Sequence, residues 1–106
     1  MIARATNKPS AMNRTEARYA ERLEILRRAG ELQWWKYGAI TLKLGDDCRY
    51  SPDFMVVLPN GEIEMHETKG FFRDDAKVKL RVAAAMFPFR FWLVRLVKGR
   101  WEFENY

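Results

Sequence analysis

YSPDFMVVLPNGEIEMHETKG, the stretch from Tyr50 to Gly70, reads as one β-hairpin that carries charged groups on an apolar frame. Phe54-Met55-Val56-Val57-Leu58 is a short run of strand-forming residues, and Glu62 to Lys69 alternates. Ile63, Met65, Glu67 and Lys69 fall on one face, and Glu62, Glu64, His66 and Thr68 on the other. Pro59-Asn60-Gly61 suits a three-residue loop: Pro sets φ at the first turn position, Asn tolerates the second, and Gly takes the left-handed third. A two-residue Asn-Gly loop would place Pro59 in the ladder, where its missing N–H is a cost. The three-residue loop pairs Leu58 with Glu62, and counting outward sets Asp53 directly opposite Glu67 on a shared face. Two like charges with Cβ atoms about 5 Å apart destabilise a hairpin, and a bound divalent cation is the usual reason for such a juxtaposition. Lys69 lies two residues beyond Glu67 on the same face.

Upstream, residues 1–12 are polar and broken by Pro9, which predicts a flexible N-terminal arm. Asn13-Arg14-Thr15-Glu16 supplies an N-cap with Glu three residues later, and Gly30 stands just past the last periodic position, so a helix is expected from Arg14 to Ala29. Tyr19, Ala20, Leu23 and Leu26 form its apolar stripe, and Glu16 lies on that stripe one turn earlier. A carboxylate on the buried side of a first turn has two readings: the capping bond to the Asn13 backbone, or a ligand to a metal. From Glu31 the period changes to two. Leu32 to Tyr37 and Ile40 to Leu44 read as strands separated by a bend or bulge at Gly38, and Gly45-Asp46-Asp47 as the turn into the central hairpin. Trp34 and Trp35 suit either a core or rim position or stacking on bases.

Downstream, a second helix is expected from Arg73 or Asp74 to about Met86, with Ala76, Leu80, Ala83, Ala84 and Phe87 on its core face. Arg73, Lys77 and Arg81 recur every four residues along one flank. Such a stripe is either a solvated face or a row of phosphate contacts. Phe89 to Val97 and Trp101 to Tyr106 complete the pattern as strands, joined through Lys98-Gly99-Arg100.

Pro52-Asp53, thirteen intervening residues and then Glu67-Thr68-Lys69 resembles the signature of the PD-(D/E)XK nuclease superfamily. The context SPDF…HETKG is similar to small phage-type endonucleases and Holliday-junction-resolvase-like members. The setting gives the motif its weight: a hairpin with an acid of each strand in register, preceded by a helix with a third acid and followed by a basic helix. The resemblance spans roughly Asn13 to Val97. It implies an α/β (α+β) fold with a restriction-endonuclease-like αβββαβ core, a mixed sheet flanked by two helices, within a single nuclease domain of residues 13–106. It also implies hydrolysis of DNA phosphodiester bonds with Mg²⁺ or Mn²⁺. Asp53, Glu67, the backbone carbonyl of Thr68 and, in its second reading, Glu16 would hold the metal. Lys69 would act with these acids in catalysis, and Arg73, Lys77 and Arg81 would contact DNA.

Composition bounds these expectations. A chain of 106 residues suits one domain with a modest core. Lys and Arg exceed Asp and Glu by 19 − 14 = 5, which suits a polyanionic partner. The lone Cys48 leaves no disulfide framework within the chain, and with His66 as the single histidine a Cys/His zinc site lacks ligands. A reducing cytoplasm is the expectation, with no membrane span or secretory leader. A domain this small makes one cut per site, so cleaving both strands would need a homodimer or two visits. Two other classes stand beside the nuclease reading: a non-catalytic basic DNA-binding module of the same fold, and an interaction protein using a sheet edge.

Overall fold

The computed structural model describes residues 2–5, 12–69 and 74–106. Asn13 opens the first helix, α1 (Arg14–Arg28), one residue shorter at its end than expected. The capping box is complete: Asn13 Oδ1 accepts the Glu16 N–H at 2.8 Å, and Glu16 Oε1 accepts the Asn13 N–H at 2.9 Å. Gly30, at φ +79°, ends the helix by turning the Glu31 N–H back to the Leu26 carbonyl. The second helix, α2 (Asp74–Met86), begins at the edge of the described residues.

The strands fall into two sheets. Ile2–Ala5 (β1), Ile40–Gly45 (β3) and Cys48–Tyr50 (β4) form an antiparallel sheet in the order β1-β3-β4. Trp34–Tyr37 (β2), Phe54–Val57 (β5), Ile63–Thr68 (β6), Arg90–Val97 (β7) and Arg100–Asn105 (β8) form a mixed sheet in the order β2-β5-β6-β7-β8. Only β6 and β7 run parallel in it. A parallel neighbour cannot be reached by a tight turn, and α2 makes that crossover. The fold is therefore α+β, with a mixed five-stranded sheet and two helices. No helix among the described residues is long and apolar enough to cross a membrane.

The central hairpin has the register expected from its loop. Phe54 faces His66, Met55 faces Met65, Val56 faces Glu64 and Val57 faces Ile63. Gly61 takes φ +88°, and the Leu58 N–H donates to the Glu62 carbonyl at 2.9 Å, closing the loop. Both faces of the large sheet are covered. Tyr19 and Leu23 of α1 pack with Phe54, Val56 and Val94 on one side. Leu80, Ala83 and Phe87 pack with Met65, Phe91 and Leu93 on the other, where Leu42 and Tyr50 of the small sheet join them. Burial on both sides explains why β6 is buried continuously from Glu64 to Thr68 despite its alternating sequence.

Three expectations are corrected. Gly38, at φ +60°, does more than bend one strand: β2 and β3 on either side of it enter different sheets. Gly45-Asp46-Asp47 does not lead straight into the central hairpin; it closes the β3–β4 hairpin, whose return strand contains Tyr50. The central hairpin thus begins at Phe54, after buried Pro52, which lacks a ladder N–H, has carried the chain from one sheet to the other. Within the stretch expected to be a flexible arm, Ile2–Ala5 pair with β3 from Ala5 opposite Ile40 to Ile2 opposite Lys43. Residues 6–11 of that stretch lie outside the described residues.

Candidate functional site

Asp53 precedes β5 and Glu67 lies near the end of β6, so the hairpin register brings the two acids together at one end of the large sheet. Both are buried. The Asp53 backbone N–H donates to Glu67 Oε1 at 3.1 Å, while Asp53 Oδ2 accepts from the Thr68 N–H at 3.0 Å and from the Thr68 hydroxyl at 3.1 Å. Thr68 thus meets the site through its two donors, which fix the Asp53 carboxylate. Tyr50 donates its hydroxyl to Glu67 Oε1 at 3.0 Å, and Lys69 Nζ stands 3.4 Å from Glu67 Oε2. Glu67 is therefore held at one oxygen and ion-paired at the other.

Burial, followed by the Asp53 charge, pushes the Glu67 carboxyl up to about 7, against the opposing effect of Lys69. Burial alone would lower the Lys69 ammonium, but the Glu67 and Asp53 charges outweigh it and raise it, keeping it protonated. A carboxyl raised on folding stabilises the fold below its unfolded value of 4.5, and that contribution is lost as pH rises through about 7. Metal-free protein is expected to lose on the order of 1–3 kcal/mol from this group between pH 4.5 and pH 8, and Glu67→Gln to remove the loss. Urea unfolding in EDTA at both pH values checks this; a wild-type slope retained in the variant would refute it.

Glu16, buried at the start of α1, is engaged twice through one oxygen. Besides the capping bond, Glu16 Oε1 accepts the Tyr37 hydroxyl at 3.0 Å. Burial and then the Glu16 bond raise Tyr37 to about 12, and the charges of Asp53 and Glu67 add to the shift. Among the described residues no group of three or more His, Cys, Asp and Glu is arranged to hold a metal. Two carboxylates with waters and a phosphate oxygen suffice for Mg²⁺. Glu16→Gln is expected to keep the cap and cost under about 1 kcal/mol, whereas Glu16→Ala should cost about 1–2 kcal/mol. Thermal unfolding of the two variants decides; equal losses would show that the carboxylate charge, and not the cap, holds the helix start.

Of the basic stripe, Arg73 lies outside the described residues, Lys77 is half-buried and Arg81 is exposed, with its guanidinium 5.8 Å over the Tyr106 ring. Trp34 is exposed on β2, while Trp35 packs beside the α1 core and donates its indole N–H to Glu24 at 3.1 Å. Asp46 and Asp47 sit exposed at the β3–β4 turn.

Sequence reasoning missed Tyr50, Tyr37 and a buried polar chain on the other face of β6. There the Tyr19 hydroxyl meets His66 Nδ1 at 2.5 Å, and His66 Nε2 meets Glu64 Oε1 at 2.9 Å. Facing a carboxylate, Nε2 is the donor of its bond, and the Tyr19 hydroxyl and Nδ1 share the other. The His66 bond, with a further bond from the Trp92 indole, holds Glu64 below the usual carboxylate range despite burial. The alternation of charged residues through Glu62, Glu64 and His66 was the available signal, but it reads equally as a solvated face. Comparison of the chain with protein-family models, curated proteins and solved structures gives no match.

Proposed function

We propose that this chain is a divalent-metal-dependent DNA endonuclease of the PD-(D/E)XK type. The observation that carries the reading is the buried juxtaposition of Asp53 and Glu67, in register across the hairpin, with Lys69 3.4 Å from Glu67. Burial and the Asp53 charge raise the proton affinity of Glu67, the mark of a site short of positive charge. The order of elements lends support: apart from β1, the β3–β4 hairpin and β8, the chain runs α1, β2, β5, β6, α2, β7, as the resemblance implies. The basic net charge of +5 suits a phosphate polymer.

Asp53 and Glu67 would hold Mg²⁺ or Mn²⁺, with Glu16 and the Thr68 carbonyl as further oxygen donors. Bound there, such an ion supplies Lewis-acid stabilisation of a phosphoryl oxygen and lowers the pKa of its water. The chain's own residues do the rest. The Thr68 donors and the Tyr50 hydroxyl fix the two carboxylates, which limits the reorganisation needed when substrate arrives. Lys69, kept cationic by both acids, faces the negative charge that grows on the scissile phosphate.

Supercoiled plasmid incubated with the protein in Mg²⁺ should be nicked, and EDTA should stop it. Retarded but uncut plasmid would instead assign a binding module. On this reading Lys77 and Arg81 contact ground-state phosphates. Lys77→Ala with Arg81→Ala should therefore flatten the slope of log affinity against log salt by roughly 2. An unchanged slope in a titration series would make the stripe a solvated helix face.

A further inference from the structure

We infer that the groove between Glu64, Trp92, Phe103 and Arg22, on the α1 face of the large sheet, binds an unpaired nucleobase that carries an exocyclic amino group. The inference rests on the nucleic-acid reading above only for the source of the base. The α1 helix covers β5 and β6 but reaches the β7–β8 side through few side chains. Tyr19 meets Trp101 edge-on at 5.0 Å between ring centres, and the Arg22 guanidinium lies 5.5 Å from the Phe103 ring centre. Beyond them a cavity of about 350 Å³ opens between Glu64, His66, Trp92 and Phe103. A second, of about 250 Å³, shares Glu64, His66 and Phe103 with it and is lined further by Arg22.

The walls are flat and the polar groups are of two kinds. Trp92 and Phe103 meet edge to face at 6.4 Å, and Phe103 remains 43% exposed, which leaves ring surface for a planar guest. Glu64 is fixed by the bonds from His66 and Trp92 and seeks donors. Arg22 Nε is buried with no hydrogen-bond partner among the described residues and seeks an acceptor. A guest that meets all three demands is flat, with a donor edge beside an acceptor. Guanine, adenine and cytosine present an amino group next to ring or carbonyl acceptors, and thymine lacks the amino group. A base can stack there only when unpaired, as in single-stranded or branched DNA.

The test is a titration of the wild-type protein in EDTA with dGMP, dAMP, dCMP, TMP and inorganic phosphate, followed by the Trp92 indole N–H resonance. The three amino-bearing nucleotides should shift it saturably and bind at least about five-fold more tightly than TMP, and phosphate should leave it unmoved. Phe103→Ala, at an exposed position, should weaken dGMP roughly ten-fold with an unchanged circular dichroism spectrum. Arg22→Gln should weaken all three, and Glu64→Gln should erase the preference over TMP. Equal shifts by all five probes would reduce the groove to an anion contact and overturn the inference, as would saturable binding that leaves Trp92 unmoved. Plasmid nicking by the same preparation in Mg²⁺ separates the two readings. Nicking without nucleotide binding overturns the groove alone, and nucleotide binding without nicking upholds the groove while the nuclease reading fails.

Discussion

Asp53→Asn is expected to lower DNA cleavage roughly 10³-fold or more in saturating Mg²⁺, and Glu67→Gln to do the same. The Asp53 backbone N–H bonds the Glu67 carboxylate at the end of the β5–β6 hairpin, and on the reading proposed each acid would replace part of the hydration shell of the ion. Loss of fold does not explain such an effect. Asn at 53 can still accept from the Thr68 N–H and hydroxyl through its amide oxygen, and Gln at 67 can still accept from Tyr50. Each variant also removes one of two buried charges that oppose each other, so its metal-free stability should equal or exceed that of the wild type. Cleavage and urea unfolding measured on the same preparations give the answer. An active Asp53→Asn protein, or wild-type turnover that persists in EDTA, would sink the metal site.

Lys69→Ala should lower the single-turnover rate by about 10²–10³-fold while DNA affinity changes less than about three-fold. The ammonium is partly buried beside Glu67 and is kept charged by both acids, so its field is directed into the site more than toward solvent. A cation there gains most where negative charge grows, in the transition state, and little from ground-state phosphates. The stripe variant should do the converse, weakening binding while leaving the saturated rate near wild type. Loss of affinity in Lys69→Ala with an unchanged rate would make Lys69 a binding residue. Lys69→Arg is the informative companion, because the charge is kept while the compact ammonium is replaced by a planar fork.

The features legible in the sequence are those set by neighbours along the chain. Asn13 and Glu16 close a capping box over three residues, Gly30 ends the helix, and Pro59-Asn60-Gly61 fixes a register that carries Asp53 to Glu67. Each rests on local backbone geometry, so the residues involved suffice to predict it. Tertiary structure decided which sheet each strand joins, because edge pairing depends on which other edges are open, and nothing local distinguishes Cys48–Tyr50 from the start of β5. It also decided the partners that set the chemistry. Tyr50 reaches Glu67 across 17 residues, Tyr37 reaches Glu16 across 21 and Tyr19 reaches His66 across 47. A tyrosine carries no sequence mark of the carboxylate it will meet. Only the packing of α1 and of the small sheet on the two faces of the large sheet brings those hydroxyls within hydrogen-bond reach, and burial makes the Tyr19 and Tyr50 pairings obligatory.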